Sequence, residues 1–140
     1  MADVFDSATR SRIMSSIRKR DTRPELRVRR MLHRLGFRFR LHRADLPGVP
    51  DVVLPKYRTV VFIHGCFWHQ HFCPLGKRPK SNRGYWLPKL KRNAERDAKH
   101  RQQLRVRRWR VVTIWECEIE DFEKLEQRLH RIRQVQLRDF

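Results

Sequence analysis

The run HGCFWHQHFC, residues 64 to 73, holds two cysteines, three histidines and the adjacent Phe67-Trp68 pair. Cys66, His71 and Cys73 fall inside it, and Cys117 follows the segment WRVVTIWE. Three thiolates and one imidazole are a standard structural zinc set, and this set uses every cysteine in the chain. The competing reading is an ordinary buried thiol at Cys117 and two exposed thiols in the loop. A second chemistry lies just upstream. The segments DVVL and TVVFI flank PKYR, and an antiparallel turn there sets Asp51 across from Phe62 to His64. A carboxylate beside backbone oxygen and water is what Mg²⁺ accepts, and Mg²⁺ clamping a phosphate is a common route to phosphodiester hydrolysis. His64 or His69 could activate or position the water, and Glu25 could add a second carboxylate. Simpler roles compete: Glu25 with Thr22 fits a capping box, and Asp51 after Pro50 could merely open a strand.

Phe67 and Trp68 stand among polar ligands and glycine, and Trp86 follows Tyr85 at the far end of the same loop. Such aromatics can wedge between bases, where unstacking is cheapest at a mismatched step. They could equally shield the zinc and cap the core. Trp109 and Trp115 lie in a strand pattern and read as core.

Positioning these residues requires a compact frame. The 140 residues suit one domain, 1–140, with a single core. Residues 1–20 read as a strongly basic helix capped by Ser7 or Thr9, with Ile13, Met14 and Ile17 on one side. From Thr22 to Gly36 the i, i+3, i+4, i+7 spacing of Val28, Met31, Leu32 and Leu35 predicts a second helix. Phe37, Phe39 and Leu41 alternate as in a strand, and the β-branched hairpin follows. A loop from His64 to about Gly84 leads to a helix with Leu87, Leu90, Ala94, Ala98, Arg101 and Leu104 along one face. WRVVTIW is a fourth strand, and Phe122, Leu125, Leu129 and Ile132 mark a last helix. The order predicts an α/β fold, a small mixed sheet flanked by helices.

Net charge sets the partner class. Lys+Arg 34 against Asp+Glu 15 gives +19, which favours a polyanion, nucleic acid first. No apolar run approaches the roughly 18 residues of a spanning helix, and the start lacks a signal peptide's apolar core. The odd cysteine count argues for metal or free thiols over disulfides, so a bacterial cytoplasmic location is expected.

Together MADVFDSATRSRIMSSI, DTRPE, LPGVPDVVLPKYRTVVFIHGCFWHQHFC, WLPKLKRNAERD and WRVVTIWEC resemble the very short patch repair (Vsr-type) endonucleases over nearly the whole chain. The resemblance implies a restriction-endonuclease-like PD-(D/E)xK variant core, with Phe62 and His64 in the places of the usual acid and lysine. It implies a Mg²⁺-dependent nick in double-stranded DNA, 5′ to the mismatched T of a T:G mispair left by deaminated 5-methylcytosine. By matching position, Asp51 and the main-chain oxygen of Ile63 would hold Mg²⁺, His69 would be the general base, and Glu25 and His64 would hold waters of the metal. Cys66, His71, Cys73 and Cys117 match structural Zn²⁺ ligands. Phe67, Trp68 and Trp86 match an aromatic wedge, and the first helix, with Met14, would clasp DNA from the minor groove. The resemblance further implies a nucleoid-associated monomer, with mismatch-repair proteins and a repair DNA polymerase as candidate partners and no membrane. Two alternatives stand beside it: a related nuclease of different sequence or modification specificity, and a zinc-stapled DNA-binding module without catalysis.

Overall fold

A computed structural model describes residues 22–139 apart from positions 70 and 72. The expected basic helix over residues 1–20, with Met14, lies outside the described residues. Helix α1 (Arg23–Arg34) starts at Thr22, whose hydroxyl accepts from the Glu25 N–H at 3.4 Å. Val28, Met31 and Leu32 are buried, as their spacing predicts, and Gly36 follows the helix at φ +82°.

Four strands form the sheet: β1 (Arg40–Leu41), β2 (Val52–Leu54), β3 (Thr59–His64) and β4 (Arg110–Trp115), in the order β1-β2-β3-β4. β1 and β2 are antiparallel, as are β2 and β3, while β3 and β4 are parallel. Pro55–Tyr57 forms a 3₁₀ turn, and Arg58 at φ 48° completes the β2–β3 hairpin. The parallel pair needs a crossover, and α2 (Arg83–Val106) lies within it. The short α3 (Glu116–Ile119) and the long α4 (Phe122–Asp139) follow β4.

Both faces of the sheet are covered, which is why β2 and β3 read as continuous apolar runs. Val52, Leu54, Val61 and Ile114 pack with α1 and with Leu125, Leu129 and Ile132 of α4. Val53, Val60 and Phe62 turn the other way, onto Leu46, Leu104 and Trp109. The mixed α/β expectation is therefore met. Leu32 and Leu129 are fully buried, each stabilising the fold by about 1.5–3 kcal/mol.

Several expectations need correction. The Phe37–Leu41 strand shrinks to Arg40–Leu41, and both residues are exposed. Ala94 and Ala98 face solvent, and the inward line of α2 runs instead through Trp86, Leu90, Asn93, Asp97, Arg101 and Leu104. Phe122 is 51% exposed and lies under the Arg34 guanidinium at 5.0 Å, and the buried apolar residues of α4 among those described are Leu125, Leu129 and Ile132. Trp109 is core, but Trp115 is half-buried and turned toward the loop histidines. Among the described residues, no helix is long and apolar enough to cross a membrane.

Candidate active site and metal centres

The hairpin register pairs Val52 with Val61, which brings Asp51 to the end of β3. Asp51 Oδ2 accepts the Ile63 N–H at 2.7 Å. From α1, the Glu25 carboxylate reaches the same place, where Oε2 meets Arg29 Nη2 at 3.0 Å and His42 Nε2 at 3.3 Å. Ligand atoms of Glu25, His42 and Asp51 lie within 4.8 Å of one another. Burial pushes Asp51 up to about 6; the Ile63 N–H works against the rise and the Glu25 carboxylate adds to it. Two carboxylates repelling each other in a half-dry site are what a hard divalent cation relieves, so the donor set fits Mg²⁺. His42 is a nitrogen donor, which Mg²⁺ does not favour, and its place is better explained as holding Glu25. The His42 N–H also points to the Asp51 carbonyl at 3.4 Å.

Beyond His64 the chain turns back, and His69 stacks on His64 with centroids 3.7 Å apart and planes 6° from parallel. His69 Nδ1 is hydrogen-bonded to Asp97 Oδ2 on α2. Burial drives His64 down to about 4, with the neighbouring His69 adding to the fall. A neutral His64 puts no charge against the stacked ring of His69. Burial pushes Asp97 up, but the His69 hydrogen bond and the surrounding positive charges outweigh it and hold the carboxylate below its ordinary range. His64 Nδ1 is buried with no hydrogen-bond partner among the described residues.

A cavity of about 350 Å³ joins these groups, lined by Glu25, Asp51, His69, Asp97, Arg101 and Glu116 among others. Its far wall is the loop before β2. Gly48 sits there at φ +76°, and a Cβ would come within 2.9 Å of His100 Nδ1 on α2. Glycine is thus required twice, by the left-handed backbone and by the close helix.

The four expected zinc ligands also converge. Ligand atoms of Cys66, His71, Cys73 and Cys117 lie within 4.8 Å of one another, and the cysteines are free thiols. His71 Nδ1 is 3.7 Å from Cys66 Sγ and 3.5 Å from Cys117 Sγ. Tetrahedral bonds of zinc to sulfur and nitrogen would put such atoms about 3.5 Å apart, so the set fits the ion. Burial pushes the Cys66 thiol up to about 12 and raises Cys117 as well. Trp115 stacks on His71 at 4.1 Å and meets His64 edge-on at 5.4 Å, bridging the thiol cluster and the histidine pair. Glu116 Oε1 accepts the Cys66 N–H at 3.3 Å.

Phe67, Trp68 and Trp86 form one edge-to-face cluster, with centroids 5.3 to 5.7 Å apart. Phe67 and Trp68 are half-buried rather than bare, and Trp86 is only 6% exposed. Asn93 Nδ2 donates to the Trp68 carbonyl at 3.3 Å, and Lys89 Nζ stands 5.6 Å from the Trp68 ring centre.

The sequence model of the family described as DNA mismatch endonuclease Vsr matches residues 2–75. Type II nicking enzyme V.XorIIP of Xanthomonas oryzae pv. oryzae is 48% identical over 132 residues, covering 94% of this chain and 97% of that protein. DNA mismatch endonuclease Vsr of Escherichia coli (strain K12) is 47% identical over 125 residues, covering 89% of this chain and 80% of that one. Type II nicking enzyme V.NmeAIP of Neisseria meningitidis is 44% identical over 132 residues, covering 94% of each chain.

The chain belongs to the Vsr family of DNA mismatch endonucleases. It is therefore a nuclease acting on DNA, and the reading as a binding module without catalysis falls away. In this Vsr-family enzyme, sequence reasoning did not single out Asp97 and His42, which the structure brings against His69 and Glu25. Asp97 had a legible signal, because positions 86, 90, 93, 97, 101 and 104 also keep helical spacing. Reading the alanines as the inward face hid that polar line. His42 carried no such signal, since its partner Glu25 is 17 residues away and its backbone sits at φ 47°.

Proposed function

We propose that this enzyme nicks double-stranded DNA on the 5′ side of the mismatched T in a T:G mispair, by Mg²⁺-dependent hydrolysis, as the first step of very short patch repair. The observation that carries the chemistry is the convergence of Asp51 and Glu25 with the His69–Asp97 pair in one cavity. Asp51 and the main-chain oxygen of Ile63 would hold the ion, and Glu25 and His64 would orient water beside it. Bound there, Mg²⁺ would supply Lewis-acid chemistry toward a phosphate oxygen. Asp97 fixes His69 through Nδ1, leaving Nε2 to take the proton of the attacking water. As the water oxygen bonds to phosphorus, the bond to the leaving oxygen breaks with its electron pair on that oxygen.

The reading takes residues 1–140 as one catalytic domain with a PD-(D/E)xK variant core, in which Phe62 and His64 replace the usual acid and lysine. Zn²⁺ held by Cys66, His71, Cys73 and Cys117 would tie the loop to α3, just past the end of β4. Phe67 and Trp68 enter the base stack with Trp86 beneath them, and residues 1–20, with Met14, clasp the minor groove. The buried state of Trp86 supports this division of labour. The enzyme acts as a bacterial cytoplasmic, nucleoid-associated monomer, handing its nick to a repair polymerase and other repair proteins.

Relatives named type II nicking enzymes, at 48% and 44% identity, favour one second reading: a preferred flanking sequence different from that of the Escherichia coli relative. The test is strand-resolved cleavage of duplexes with a central T:G, U:G or C:G pair in several flanking contexts, with Mg²⁺ and without divalent metal. A Mg²⁺-dependent nick limited to the T strand of T:G duplexes is expected. Equal cutting of C:G duplexes would overturn the mismatch reading, and dependence on one flanking context would identify the sequence read.

A further inference from the structure

The candidate cavity contains four carboxylates, Glu25, Asp51, Asp97 and Glu116, yet its described lining includes one side chain of permanent positive charge, Arg101. A DNA phosphate entering that space meets repulsion from every carboxylate, so a fixed cation on the wall matters. Arg101 lies one helical turn beyond Asp97 on α2, half-buried, and its charge falls on both Asp97 and His64. Its guanidinium makes no hydrogen bond or ion pair to any described residue, unlike Arg29, Arg58, Arg110 and Arg128, which are all tied into the fold. Its unpartnered nitrogens are not sealed from solvent, so a phosphate entering the cavity can reach them.

We infer that Arg101 binds a non-bridging oxygen of the phosphate to be cut and stabilises the charge that builds there as the water attacks. This inference rests on the hydrolytic reading of the cavity and adds a catalytic residue to it. The guanidinium offers parallel N–H groups that match a phosphate edge, and it stands on a helix face fixed by Leu104 and Trp86. Donors aimed at developing charge in a water-poor site act mostly on the transition state, so the effect belongs in kcat more than in KM.

The test compares wild type with Arg101→Gln, Arg101→Lys and Arg101→Ala in single-turnover cleavage of the T:G duplex. It also measures duplex binding without Mg²⁺ across a salt series. Arg101→Gln is expected to cleave about 10²- to 10³-fold more slowly. Arg101→Lys should recover part of the rate, and millimolar guanidinium ion should partly restore Arg101→Ala. Loss of one phosphate contact should lower the slope of log K against log salt by about one. Cleavage by Arg101→Gln within about threefold of wild type, a rate loss that guanidinium ion does not relieve, or an unchanged salt slope would each overturn the inference. If wild type leaves the T:G duplex uncut, the mismatch reading fails separately, and the salt slope still decides whether Arg101 holds a phosphate.

Discussion

Replacing Asp51 with Asn should stabilise the enzyme in Mg²⁺-free buffer while removing its cleavage. Asp51 is ionised at neutral pH in a site that is mostly closed to water and faces Glu25. Its rise from 3.8 to about 6 corresponds to a native-state ionisation penalty of about 3 kcal/mol, at ~1.4 kcal/mol for each factor of ten. The sign follows from proton binding. The folded state holds on to the proton through the window from 3.8 to about 6, so stability falls as pH rises through it and the full penalty stands above. Asn keeps an oxygen for the Ile63 N–H, replaces a charge facing Glu25 with an amide, and has nothing to ionise. Urea denaturation with zinc retained and no Mg²⁺ should therefore show Asp51→Asn more stable than wild type at pH 8, by about 1–3 kcal/mol, with the gap closing toward pH 4. The same variant should bind the T:G duplex yet fail to cut it at any Mg²⁺ concentration. A variant equally or less stable than wild type at pH 8, with a difference that does not change with pH, would refute the reasoning. It would mean that Asp51 ionises without strain and that the cavity does not need a cation.

Asp97→Asn leaves the size of the side chain but no longer fixes His69 through a carboxylate. The cleavage rate should fall about 10²- to 10⁴-fold, with duplex affinity little changed; an unaltered single-turnover rate would remove His69 from the role of base. Loading zinc into metal-free protein at neutral pH should release protons, because Cys66 and Cys117 are held as thiols by burial. A pH indicator reads that release, and Cys73→Ser should lose the metal and become protease-sensitive between residues 66 and 84; stoichiometric zinc retained by this variant would count against the site. Gly48→Ala should destabilise by about 1–3 kcal/mol through its left-handed backbone and its clash with His100. It should also slow cleavage, because Asp51 lies three residues on, and unchanged denaturation and kinetics would show that the loop accommodates a side chain.

The elements were legible where the chain spends its apolar residues at a clear period. Val28, Met31 and Leu32 marked one face of α1, and the β-branched runs around PKYR marked a hairpin whose register alone carries Asp51 to Ile63. The four zinc-type ligands were legible by residue type, since few other roles gather every cysteine of a chain beside a histidine. Contacts between elements far apart in sequence were not legible. Nothing local links Asp97 to His69, 28 residues away, or His42 to Glu25. The first depends on how α2 is rotated over the sheet, which Trp86, Leu90 and Leu104 set by burying themselves, and the second on how α1 packs beside the turn after β1. The rotation turns Ala94 and Ala98 to solvent and points Asp97 and Arg101 into the cavity. Trp115 likewise looked like core until packing set it against His71. Sequence by itself determined which residues could do the chemistry and the strands and helices that carry them, because those follow from residue type and local period. Only the tertiary structure decided which of them meet, because helix rotation and loop closure are settled by the burial of side chains distant along the chain.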